Sequence, residues 1–100
     1  MPDQILPEER QEIHRERMAR ISEMETRLNR LTEWLKHRSD DVSEDVRVLD
    51  EYYRSPLWRS DFEADEAGEL PPDLPRGVLS EDALYNALAE YVRQKEINKH

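Results

Sequence analysis

Apolar residues in the first third of the chain recur at Ile21, Met24, Leu28, Leu31 and Leu35, alternating spacings of three and four that mark a coiled-coil seam. Nothing between Pro7 and about His37 breaks a helix, and proline suits its first turn while Glu8 and Glu9 suit its positive end. Ile13 and Met18 flank the seam upstream, where His14 and Arg17 take the strict heptad positions, and Trp34 widens it downstream. A helix of this extent would be about 45 Å long.

The polar segment His37 to Asp41 should turn the chain. Asp41 followed by Glu44 reads as a capping box. Val42, Val46, Leu49 and Tyr53 then give a second amphipathic helix, antiparallel to the first because the connection is short. Ser55 and Pro56 open a third, short helix with Trp58 and Phe62 on one face. Gly68 can close it in the left-handed conformation, and Pro71 and Pro72 forbid its resumption. After the loop Glu69 to Gly77, Ser80 caps a last helix, Leu79 and Leu84 take the staple positions, and Leu84, Leu88, Tyr91 and Val92 form its buried face. Residues 1–6 and 96–100 should fray. The expectation is one all-α domain over residues 1–100. It is a small helical bundle with a long N-terminal helix, an antiparallel second helix, a short aromatic and acidic helix with a proline-rich loop, and a C-terminal helix.

Composition agrees. Charged residues make up 39% and hydrophobic residues 36% of the chain, a balance that suits long solvated helices. Two glycines and no strictly alternating run argue against a sheet. The lack of cysteine removes disulfides, thiolate metal sites and cysteine nucleophiles, and fits a reducing cytoplasm. No apolar run approaches the roughly 20 residues needed to span a bilayer, and the N-terminal residues lack the apolar core of a secretory signal. A cytoplasmic protein away from membranes is expected.

The formal charge of −9 is unevenly placed. Residues 1–40 are nearly neutral, with nine acids against eight bases, whereas residues 41–100 carry fifteen acids against seven. Direct binding to nucleic-acid phosphates needs the opposite sign. The acidic half is either a solvated surface or a docking face for a basic partner.

Candidate chemistry concentrates between Tyr52 and Ser80, where four aromatic residues adjoin an acidic cluster of Asp61, Glu63, Asp65, Glu66 and Glu69. On a helix Asp61, Asp65 and Glu69 stack one turn apart and repel, so they must point to water or be offset, with Arg59 and Arg76 the available bases. A magnesium or calcium site is conceivable there, but the calcium-loop pattern and the Glu-x-x-His pairs of di-iron bundles are both missing. His14, His37 and His100 read as surface or helix-end residues, and the serines sit in no nucleophile elbow. No catalytic residue, metal site or cofactor is expected. Among the aromatics, Tyr53, Trp58 and Phe62 should fill the joint between helices, while Tyr52 points away from Tyr53 and is the candidate for an exposed contact.

The same segment carries a resemblance. Tyr52-Tyr53, Ser55, Trp58, the run Asp61 to Gly68, Leu70-Pro71 and the run Arg76 to Asp82 are similar to the domain-of-unknown-function 4298 family of small bacterial proteins. The match covers roughly a third of the chain. The resemblance implies a soluble, mostly helical protein and supplies no assigned activity or site.

These readings converge on a non-enzymatic interaction or regulatory module. Tyr52, Asp61, Glu63, Asp65, Glu66 and Glu69 are the candidates for contact with a basic protein partner. The long first helix outruns its neighbours unless they lie end to end, so Ile13, Met18, Ile21, Met24, Leu28, Leu31 and Leu35 are candidates for a homodimer interface. The alternatives are a divalent-metal-dependent enzyme using Asp61 to Glu69, and an acidic mimic of nucleic acid. The arginines spread through the first helix weigh against the mimic.

Overall fold

A computed structural model describes residues 6–38 and 40–97. The expected fraying of residues 1–5 and 98–100 lies outside the described residues. Among the described residues four α-helices follow in chain order: α1 Pro7–His37, α2 Ser43–Arg54, α3 Pro56–Glu66 and α4 Glu81–Ile97, with a 3-10 turn at Gly77–Leu79 before the last. The fold is all-α, with no strand among the described residues.

Local chemistry sets most boundaries as expected. Proline opens α1, with Glu8 and Glu9 in its first turn. Ser55 opens α3 by accepting from the Leu57 amide at 3.2 Å, and Ser80 opens α4 by accepting from Ala83 at 3.3 Å. Gly68, at φ 73, ends α3 in the left-handed region. Arg38 takes the same conformation at φ 56 after α1, although it has a side chain. Its amide bonds to the Trp34 carbonyl at 2.8 Å and its guanidinium lies 4.8 Å from the Trp34 ring, which offsets the cost of that backbone. The α2 capping box does not form. Asp41 bonds to the Ser43 amide at 2.9 Å instead, the helix starts one residue later than a box requires, and Glu44 turns to Arg47 at 3.0 Å. α4 runs through Ile97, two residues beyond the expected limit.

α1 is the axis. α2 runs antiparallel to it: Asp45 sits beside Arg27 and Arg30, while Tyr52 lies near Arg20 through Asp61. α4 runs parallel to α1, with Val78 held by Glu25 at its start and the Tyr91 ring 5.0 Å from that of Trp34 further along. Both partners therefore overlie the C-terminal part of α1 and do not lie end to end. Leu6 to Glu16 is left exposed apart from the half-buried His14, an overhang on a molecule measuring 60 × 25 × 20 Å.

The seam of α1 is spent inside this bundle. Ile21, Leu28 and Leu31 are buried in the chain's own core, and Met24 and Leu35 pack against it half-buried. As candidates for a dimer interface, Ile21, Leu28 and Leu31 are therefore corrected: Leu49, Val78 and Leu84 share the core that covers them. Met18 is half-buried, and Ile13, 44% exposed, remains open.

The buried face of α2 is turned from the expected one. Val42, Asp45, Leu49 and Tyr52 are buried, while Val46 and Tyr53 are only half-buried. Both sets obey helical spacing. What selects the set containing an aspartate is the pair of arginines waiting for it on α1.

Candidate functional site

Among the described residues two aspartates are buried, and α1 answers each with an Arg-x-x-Arg pair. Arg20 grips Asp61 with two bonds, Nε to Oδ2 at 2.8 Å and Nη2 to Oδ1 at 2.6 Å. Arg17 adds a third to Oδ1 at 3.0 Å and also donates to Ser60 at 2.8 Å. Ten residues on, Arg30 grips Asp45 in the same two-bond manner at 2.9 and 2.7 Å, and Arg27 adds a bond at 2.9 Å. Fork-to-fork contacts of this kind are the strongest ordinary charge-assisted bonds. The two clamps fix α2 and α3 along α1.

Asp61 is fully buried and Tyr52 is 4% exposed. The Tyr52 phenol donates to Asp61 Oδ2 at 2.6 Å, so the carboxylate accepts from three side chains. Burial alone would raise the Asp61 pKa. The hydrogen bonds from Arg20, Tyr52 and Arg17 outweigh it and hold the group below the usual carboxylate range. Asp45 is held low as well, chiefly by Arg30. Burial, then the Asp61 carboxylate, pushes the Tyr52 phenol well up.

Tyr52 and Asp61 are thus corrected as partner-contact residues, because both face the bundle and are saturated there. A helix turns two adjacent side chains about 100° apart, so Tyr52 and Tyr53 could not share one face, and the interior took Tyr52. The rest of the acidic cluster disperses. Asp65 pairs with Arg76, which also donates to the carbonyls of Pro71 and Leu74 and so braces the proline loop. Glu63, Glu66 and Glu69 are exposed, Glu69 lying 4.0 Å from Arg17. Arg59 makes no salt bridge among the described residues. Asp61, Asp65 and Glu69 do not converge, and among the described residues no group of three carboxylates or histidines is placed to hold a metal ion.

The aromatic joint forms as expected. Trp58 is 4% exposed, its ring 5.3 Å from Tyr53 edge-on and 5.2 Å from Phe62 stacked, and its indole N–H donates to the Val78 carbonyl at 3.0 Å. Glu25 accepts from the Val78 amide at 2.8 Å, so α1 also holds the 3-10 turn.

A further exposed apolar surface lies on α4 and along its border with α2. The outer face of α4 exposes Tyr85 and Val92, 57% and 53% accessible, beside Leu88 and Ala89. Asp50, Tyr53 and Arg54 of α2 form the other wall of this shallow groove. At the N-terminal end of α4 a second depression is lined by Phe62, Asp65, Glu66, Arg76, Glu81 and Asp82. Among these residues, sequence reasoning had singled out Asp65 and Glu66 as contact candidates but not Glu81, Asp82 or Tyr85. It had placed Val92 on the buried face of α4, which is corrected here because Val92 is 53% exposed. For Tyr85 and Val92 the signal was an apolar stripe on α4 wider than one buried face requires.

An all-α bundle pinned by paired arginines is the class of protein this architecture defines. The family model described as "Domain of unknown function (DUF4298)" matches residues 14–98, and the chain belongs to that family. No curated protein and no solved structure matches it. No helix is long and apolar enough to cross a membrane among the described residues.

Proposed function

We propose that the protein is a cytoplasmic interaction or regulatory module and not an enzyme, working through exposed helix faces toward a partner with a basic surface. The observation that carries this reading is the division of its polar groups. The buried carboxylates Asp45 and Asp61 are consumed by arginines, while apolar side chains such as Tyr85, Val92 and Leu57 stand exposed on ordered helices. A side chain bound on all sides is poorly placed for proton transfer to a substrate, whereas exposed apolar groups rimmed by charge are the material of protein contacts. Affinity purification from the native cell, with mass spectrometry, is the test. A partner with a basic face that is lost at high salt supports the reading, and turnover of any small molecule by the pure chain defeats it.

A second copy is the other candidate partner, favoured by the α1 overhang. Ile13 and Leu6 are exposed there between acidic and basic residues that an antiparallel pair would bring together. Sedimentation equilibrium separates the cases: a single species near 12.0 kDa excludes the dimer, and Ile13→Glu should dissociate one that exists.

A further inference from the structure

We propose that the outer stripe of α4 and the acidic depression at its N-terminal end form one docking surface for an amphipathic helix of a partner protein, with lysines or arginines at one end. The proposal deepens the interaction reading above and rests on it. Tyr85, Leu88, Ala89 and Val92 recur at intervals of three, four and seven, the footprint of an apolar helix face. Yet α4 already buries Leu84 and packs Leu88 and Tyr91 against the core. Tyr85, Ala89 and Val92 are exposed, so the helix carries apolar surface beyond the face the bundle uses, with Leu88 shared between the two. Ala89, small and central, lets another backbone approach, and the α2 wall makes the stripe a groove.

Charge chooses the occupant. Glu66, Glu81 and Asp82 meet Asp65 in the adjoining depression, where Arg76 is already bound to Asp65 and two backbone carbonyls. Glu66, Glu81 and Asp82 have no salt-bridge partner among the described residues, although the Tyr53 phenol donates to Glu81 at 3.3 Å. The bases at the far end are engaged: Arg93 with Glu90, and Lys95 over the Tyr91 ring. The surface is thus acidic at one end and apolar along its length. A second α4 fits it poorly, since parallel pairing would set Glu81 and Asp82 against their own copies. In antiparallel pairing about the same stripe Glu81 would meet Glu96, and Lys95, which would face Asp82, already lies over the Tyr91 ring. A helix with apolar residues at the same intervals and a basic end satisfies both parts.

The test uses the full chain, isotopically labelled for NMR. The probe is a synthetic helical peptide of about four turns, with leucines at those intervals and lysines at one end. Expected are shifts centred on Tyr53, Tyr85, Ala89 and Val92, weaker binding at higher salt, and at least a tenfold loss of affinity in Val92→Glu. Thermal melts of that variant should match the parent, because the side chain is exposed. Equal binding by a peptide with glutamates in place of the lysines overturns the proposal. So do concentration-dependent shifts at the stripe without peptide, which would identify a second copy as the occupant. Peptide shifts confined to the α1 overhang overturn this surface while leaving the interaction reading standing. Absence of any protein partner in the native cell removes the reading itself.

Discussion

Tyr52 and Asp61 lie nine residues apart on successive helices and share a hydrogen bond of 2.6 Å that is closed to water. The bond ties the bend between α2 and α3 to the arginines of α1, so three helices meet at one carboxylate. Tyr52→Phe should cost about 1.5–3 kcal/mol, the range for hydrogen bonds to charged groups. Asp61→Ala, which strands two guanidinium groups, should cost about 3–5 kcal/mol. Urea melts of both single variants and the double variant should show coupling above about 0.5 kcal/mol. Simple additivity would mean that the contact does not form in solution.

Acid and alkali should act on this same centre in opposite senses. Asp45 and Asp61 bind protons less readily folded than unfolded, so their stabilisation is complete above about pH 4 and is lost as pH falls below it. The Tyr52 phenol is raised, so its contribution is complete below about pH 10 and is lost as pH climbs past it. Urea midpoints should be level around neutrality and fall on both sides. Tyr52→Phe should shrink the alkaline fall without removing it, since the Tyr53 phenol is raised too, first by burial and then by Glu81.

Trp58 joins three elements through two aromatic contacts and one hydrogen bond. Trp58→Ala should cost about 3–5 kcal/mol, a large share of the roughly 5–15 kcal/mol a domain of this size possesses. Trp58→Phe keeps a ring but leaves the Val78 carbonyl without its donor, and should cost about 1–3 kcal/mol. Denaturant curves that overlay the parent would place the indole in water.

Gly77 sits against α1 so closely that a Cβ there would lie 3.0 Å from a Glu25 carboxylate oxygen. The same carboxylate holds the Val78 amide, so it cannot swing aside without releasing that bond. Gly77→Ala should therefore destabilise by about 1–3 kcal/mol, as overpacking does. Paired with Glu25→Ala it should cost less than the two single changes summed, and equality with that sum would sink the assignment.

The helices themselves were legible because their signals are local: Pro7, Ser55, Gly68 and Ser80 each act within a turn of where they stand. The interior was legible only where it is apolar. Trp58 follows from spacing alone, but Asp61 and Asp45 look like surface residues until the arginines of α1, 41 and 15 residues away, are folded against them. Tyr52 was misplaced for the same reason, since its partner is one of those aspartates. The two Arg-x-x-Arg pairs ten residues apart were visible, but a charged pair on a helix most often faces water. The overhang followed from length, although it was expected as a failure of two helices to meet and arose because both cover one end.

The bare ten residues at the start of α1 also govern how the molecule travels. A chain of this length packed as a sphere-like domain has a radius of gyration near 13 Å, whereas this one reaches 15.8 Å. Drag depends on shape as well as mass, so a lone copy will migrate through a gel-filtration column ahead of globular standards of equal weight. Its elution volume, taken alone, would pass for that of a pair.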